Sequence, residues 1–410
     1  MRAFLRKSLF TRSFSALVFA APCILSTSGA GAGQFDLDRT PPEQQPALQI
    51  EEYWTKARMN SATPMDFPEV IATSVTTQNI DIVPAGEAPG FMPGWSGRGP
   101  QPTANDAVTL KIPENPTFGA PQHGTIPTTN PRLGPYGPFQ RWTLFGRYLS
   151  YPRSIHGKLF FSLGASNFVC SATVMGGKNM LITAGHCNSS GNGQFATNRL
   201  FCPSYNKNGV NPAVGCWAVV NSKTSDGWHF SGDPDYDYAC LITNTTGTVH
   251  NNSIGNITGW AGYAWNFPQG QPTMQFGYPA ASPFPGYHII TAATTEWYTF
   301  DFTPGAQVSK FIGSDMTGGS SGGSWLLSWN HPNAEYADSD GLSATDPVNT
   351  GGPHVNGVNS HKRCRINCNS PPSDTAGVYW QEMSSPPFLN TAATDESTDI
   401  IQVCTDNGGT

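Results

Sequence analysis

The sequence predicts an all-β protein built as two packed antiparallel barrels. Three observations carry that expectation. Charged residues are only 12% of the 410-residue chain while Gly (44) and Pro (35) abound, so turn formers outnumber the residues that sustain long helices. From Lys158 onward, short runs with period-two alternation or β-branched and aromatic enrichment recur between Gly, Asn and Pro. Those runs are numerous enough to fill two sheets, and no repeat of fixed period organises them. The formal net charge of −6 supplies no basic stripe, which argues against a nucleic-acid partner.

Taken in chain order, residues 1–32 read as a secretory signal. Arg2, Arg6, Lys7 and Arg12 precede an apolar stretch from Phe14 to Leu25, and Ala30-Gly31-Ala32 has the A-x-A form of a cleavage site. The apolar stretch falls short of the ~20 residues that cross a bilayer. The expectation is therefore export, with no membrane partner once the signal is removed. Residues 33–153 are Pro-rich, polar and free of cysteine, with one helix-like patch from Ile50 to Met59. They read as a mostly irregular propeptide, with Arg147 and Arg153 as candidate processing points, ahead of a folded domain over 154–410. In that domain the strands expected are Lys158–Leu163, Asn167–Met175, Met180–Thr183, Cys216–Val220, Tyr236–Thr243, Gln271–Tyr278, Tyr287–Thr295, Ser324–Trp329 and His354–Asn359.

Eight cysteines follow the signal, at 170, 187, 202, 216, 240, 364, 368 and 404, an even number that suits disulfides in an exported chain. Cys170 and Cys187 flank a strand-turn-strand, and Cys202 and Cys216 bracket a turn-rich segment that a bond would staple; the other four have several possible pairings. Cys364-x3-Cys368 lacks the second ligand pair of a zinc site, so no metal is expected. Asn188, Asn244, Asn251 and Asn256 each begin a glycosylation sequon.

Two local motifs carry chemistry. Leu181-Ile182-Thr183-Ala184-Gly185-His186-Cys187 sets a histidine at a strand end, and Asp315-Met316-Thr317-Gly318-Gly319-Ser320-Ser321-Gly322-Gly323 sets a serine in a glycine-rich turn. Between them, Asp237 precedes the apolar run Tyr238-Ala239-Cys240-Leu241; Asp233 and Asp235 are its nearest rivals. A serine hydroxyl attacks at neutral pH only with a base in reach and a third group fixing that base's tautomer. The order His, Asp, Ser and these contexts resemble the chymotrypsin-fold serine endopeptidases, most closely the secreted trypsin-like and glutamyl-endopeptidase-like microbial branch, over roughly residues 155–390. The resemblance implies two six-stranded barrels with the active site between them. It also implies His186 as base, Asp237 as its partner, Ser321 as nucleophile, the N–H groups of Gly319 and Ser321 as oxyanion hole, and a Cys170–Cys187 disulfide.

What the resemblance implies is an extracellular serine endopeptidase acting on proteins or peptides through an acyl-enzyme, needing no cofactor. The alternative is an inactive homologue that serves as an extracellular binding protein. An esterase with Gly-x-Ser-x-Gly would need the histidine after the serine, the reverse of this order. Ser320 stands where trypsin-type enzymes carry the Asp that pairs with a freed N-terminus, so activation by that ion pair is unavailable and an inhibitory propeptide would act by occluding the cleft or by holding back a different N-terminal contact. Ser324 replaces a frequent Pro, a change expected to be tolerated. For the substrate pocket, Asp315 aligns with the acidic base of a trypsin pocket, and Asn359 holds the place of the histidine that reads glutamate in the related branch. His361 lies two residues on, and Ser360 and its neighbours offer backbone pairing to an extended peptide. The loop from Asn330 to Pro353, with Asp338, Asp340 and Asp346, reads as a solvated insertion without EF-hand spacing.

Overall fold

The computed structural model describes residues 45–71, 90–97, 108–109, 139–143, 148–267, 270–300, 309–328, 353–364, 382–388 and 404, all within one unit, Ala32–Thr410. The expected signal over residues 1–32, Arg147, Cys368 and the three loop aspartates lie outside the described residues.

The patch from Ile50 to Met59 forms two helices, α1 (Ala47–Tyr53) and α2 (Lys56–Ser61). They break at Trp54-Thr55 because the Thr55 side chain turns back to accept from the Arg58 N–H and starts a new helix there. The same N-terminal region contributes β1 (Thr63–Pro64), β2 (Glu69–Ile71), β3 (Gly90–Met92), β4 (Val108–Thr109) and β5 (Phe139–Thr143).

The first barrel is built from β6 (His156–Leu163), β7 (Ser166–Val174), β8 (Met180–Thr183), β9 (Thr197–Pro203), β10 (Trp217–Thr224) and β11 (Ala239–Thr243). Their order is β7-β6-β9-β10-β11-β8, and β8 pairs back onto β7, so the antiparallel sheet closes and leaves no free edge among these six. Its core is Leu159, Phe161, Leu200, Trp217 and Leu241 with their neighbours, all buried. Ile50 and Trp54 from the N-terminal helices enter this same core, with the Trp54 ring 5.4 Å from Phe160.

The second sheet holds β12 (Gly262–Trp265), β13 (Pro272–Gly277), β14 (Ile290–Phe300), β15 (Ser309–Gly313), β16 (Ser324–Leu327), β17 (His354–Val358) and β19 (Glu382–Ser385), while β18 (Lys362–Cys364) pairs with β2. The path runs β19-β15-β14-β13-β16-β17-β12-β3-β4, and β5 joins the free side of β14. The architecture is the chymotrypsin-like double barrel. Among the described residues, disulfides Cys170–Cys187, Cys202–Cys216 and Cys240–Cys404 tie it.

Nothing in the sequence announces β9, β12, β15, β18 or β19, nor the short strands β1 to β5 in the region expected to be mostly irregular. Thr197–Pro203 buries Arg199 among its apolar residues, and Glu382–Ser385 is polar in three of four letters, so neither shows the alternation that marks a strand. A short helix α3 (Asp226–Ser231), capped by Ser225 and ended by Gly232 at φ 61°, was also hidden, because Gly227 sits in its first turn. Asn188 is fully buried and its amide oxygen accepts from Arg199, so the folded protein has no room for a glycan there.

Candidate active site

Strand β8 ends at Thr183, whose hydroxyl donates to the Ser171 carbonyl at 2.8 Å, and a single 3-10 turn over Gly185–Cys187 follows. The Cys170–Cys187 disulfide clamps this turn to β7. A Cβ at Gly185 would stand 2.8 Å from the Trp228 ring and 3.0 Å from Asp237 Oδ1, so only glycine lets the backbone approach this closely. Asp237 leaves the turn Pro234–Tyr236 just before β11. Its Oδ1 accepts the His186 backbone N–H at 2.7 Å, and its Oδ2 accepts from His186 Nδ1 at 2.8 Å.

Both side chains are buried. Burial by itself would raise the Asp237 carboxyl, but the His186 charge and the hydrogen bonds from His186 and Ser360 outweigh it and hold the pKa below its ordinary value. An ionised carboxylate only accepts, so His186 Nδ1 carries the proton of that bond, and in the neutral imidazole the lone pair is on Nε2. Among the described residues, neither His186 Nε2 nor Ser321 Oγ has a hydrogen-bond partner, and both are buried. Asp233 and Asp235 are otherwise engaged: Asp233 caps the Pro234–Tyr236 turn, and Asp235 accepts from the Ser309 N–H and hydroxyl.

Ser321 lies in the turn between β15 and β16. Its neighbour Ser320 donates its hydroxyl to the Thr317 carbonyl at 2.8 Å. The turn from the second sheet is docked on the first barrel: the Ser321 carbonyl accepts from the Ser171 N–H at 2.7 Å, and a Cβ on Gly322 would collide with Thr183 Oγ1 at 2.0 Å. The Gly318 carbonyl accepts from the N–H groups of Ala280 and Ala281 at 2.8 and 3.2 Å. Because that peptide is planar and trans, fixing its carbonyl aims the Gly319 N–H the opposite way. The Ser171 hydroxyl fixes the next peptide by donating to the Gly319 carbonyl at 2.9 Å. The aimed Gly319 N–H donates to the Met65 carbonyl at 2.9 Å.

The pocket residues expected from the sequence all hold protein partners. Asp315 Oδ2 pairs with Arg141 of β5 at 2.6 Å, while its Oδ1 is buried with no partner among the described residues. Asn359 is saturated: its oxygen accepts from Gln275 and Trp325, and its nitrogen donates to the Phe276 and Ser320 carbonyls, which leaves nothing for a substrate. Ser360 turns inward as well, its hydroxyl donating to Asp237 Oδ2 at 2.6 Å. His361 is buried beside it, with Nδ1 2.7 Å from the Ser360 hydroxyl. Neither the bond from the Ser360 hydroxyl to Asp237 nor the part played by Ser171 is foreseen in the sequence. Each contact joins the two barrels, and no local pattern announces such a contact.

The thermostable serine protease AL20 from an extremophilic microorganism is 31% identical to this chain, over 58% of this chain and 92% of that one, with a TM-score of 0.44. The chain belongs to the chymotrypsin-fold serine proteases. Protease Anisep from Arthrobacter nicotinovorans is 30% identical to this serine protease over 58% of the present chain and 91% of its own, with a TM-score of 0.44. A Glu endopeptidase in complex with MPD is 15% identical, over 68% of this chain and 100% of that one, with a TM-score of 0.41, too distant to add to the assignment. No family model and no curated protein matches the chain.

Proposed function

We propose that this serine protease is an exported endopeptidase, made with an N-terminal propeptide, that cleaves proteins or peptides through an acyl-enzyme on Ser321. The observation that carries the reading is the Asp237 carboxylate accepting both the backbone N–H and Nδ1–H of His186, which leaves Nε2 as the one basic nitrogen. In the proposed cycle Nε2 takes the Ser321 hydroxyl proton as Oγ bonds to the substrate carbonyl carbon. The carbonyl electrons move onto oxygen, where the Gly319 and Ser321 N–H groups receive them. The imidazolium, stabilised by Asp237, returns its proton to the departing amine. Water, deprotonated at the same nitrogen, then hydrolyses the ester and restores Ser321.

The disulfides fit an oxidising compartment, and among the described residues no helix is long and apolar enough to cross a membrane. Cleavage preference rests on Asp315, whose charge would favour Arg or Lys but is already matched by Arg141. Hydrolysis of a mixed peptide library tests the reading. With the processed enzyme, Ser321→Ala is expected to lower kcat by about 10⁶-fold, whereas Ser320→Ala retains turnover; equal activity in the processed Ser321→Ala and parent forms, both well above background, would overturn it.

A further inference from the structure

The segment after α2 runs from one barrel to the other across the candidate site. Thr63 and Pro64 pair with Phe168 and Val169 of β7, and the Met65 N–H then donates to the Val169 carbonyl at 2.9 Å. One atom group later, the Met65 carbonyl accepts the Gly319 N–H at 2.9 Å. The chain lies directly on the nucleophile turn, since a Cβ on Gly318 would stand 2.8 Å from Asp66 Oδ1 and 3.1 Å from the Met65 carbonyl. It continues as β2, which pairs in parallel with β18 at Lys362, Arg363 and Cys364, just past Ser360 and His361. The Lys362 ammonium sits 5.5 Å from the centre of the Phe67 ring. Upstream, the segment is anchored by Trp54 and Ile50 in the first barrel's core.

We propose that residues 63–71 are a built-in inhibitor, in which the Met65 carbonyl takes the Gly319 N–H that a substrate carbonyl requires. This rests on the reading of Ser321 and Gly319 given above. A backbone carbonyl is the group an oxyanion-hole donor is built to receive, and here the donor is aimed by Ala280, Ala281 and Ser171 without help from the segment itself. The hole is thus formed but filled, and activation is removal of the segment rather than ordering of the turn. That accounts for Ser320 in place of an ion-pairing aspartate: its hydroxyl is satisfied by Thr317 and needs no freed N-terminus.

The test is the rate at which a fluorophosphonate phosphonylates Ser321 with loss of fluoride, because the phosphonyl oxygen needs the same N–H. Three full-length proteins are compared: the parent, Met65→Pro, which has no N–H for Val169, and a variant carrying Thr63→Gly, Pro64→Gly, Met65→Gly and Asp66→Gly. Both variants are expected to label at least tenfold faster than the parent, and a synthetic peptide of residues 60–71 slows them again. Should Met65→Pro fail to fold, the glycine variant decides. Equal rates in parent and variants, abolished by Ser321→Ala, would overturn the inhibitor and leave the protease standing. No labelling of any form would instead strike the assignment of Ser321, and the inhibitor with it.

Discussion

Ser360 gives Asp237 a donor from the second barrel, and with His186 it holds that carboxylate ionised in a site closed to water. A hydrogen bond to a buried charge contributes about 1.5–3 kcal/mol, so Ser360→Ala is expected to lower stability by that order in denaturant unfolding at neutral pH. The sign with pH follows from the depressed carboxyl. The unfolded state takes up the proton first, so the stabilisation is complete above the ordinary carboxyl value of 3.8 and is lost as pH falls through the lower folded value. Without Ser360 the folded value rises and acid unfolding begins at higher pH; an unchanged acid limb would show that the Ser360 bond is energetically idle. At this scale the sequence was legible where the candidate site concentrates in a local motif, as with the histidine turn at Gly185–Cys187 and the glycine-rich turn around Ser321. It was not legible for Asn359 and Ser360, whose partners Gln275, Trp325 and Asp237 lie far away along the chain.

Among the elements, β6 and β13 face each other across the barrel interface, where His156 stacks on Phe276 with ring centres 4.2 Å apart and its Nδ1 lies 3.0 Å from the Thr173 hydroxyl. Burial, helped by the charge of Arg153, pushes the His156 pKa down from 6.5 to about 3. Between those values the unfolded chain binds a proton that the folded one refuses, so stability declines on acidification. One such group gives about 1.4 kcal/mol per pH unit. Unfolding measured from pH 6 to pH 4 (roughly the middle of that window) should flatten by about that slope in His156→Gln, and an unaltered slope would contradict the assignment.

The N-terminal helices give a second test. Trp54 is buried against Phe160 and its indole N–H donates to the Asn198 carbonyl. Trp54→Ala is expected to cost about 3–5 kcal/mol by denaturant midpoint, whereas a leader that merely trails from the barrels would lose nothing. The strands with clear alternation, β6 to β8, β13 and β17, could be read from sequence. Two-residue β1 and the polar β19 could not, because what makes them strands is the partner they meet.

For the molecule as a whole, the N-terminal region is woven into both barrels. α1 sits in the first core, β5 extends the second sheet through β14, and β3 pairs with β12. A chain cut near Arg153 would therefore keep these elements by pairing and packing alone, and release of the cleft depends on residues 63–71 letting go. The double barrel was visible from composition and strand count because both are summed over the chain. The path of residues 45–71 was not, since two short helices and a two-residue strand carry no periodic signal of the surface they meet. The central claim is that Ser321, activated through His186 and Asp237, is the nucleophile. It is tested most directly by labelling the protein with a fluorophosphonate, digesting it, and locating the adduct by mass. The adduct is predicted on Ser321, retained in Ser320→Ala and absent from Ser321→Ala and His186→Ala. An adduct on any other residue, or one that survives in Ser321→Ala, would contradict it.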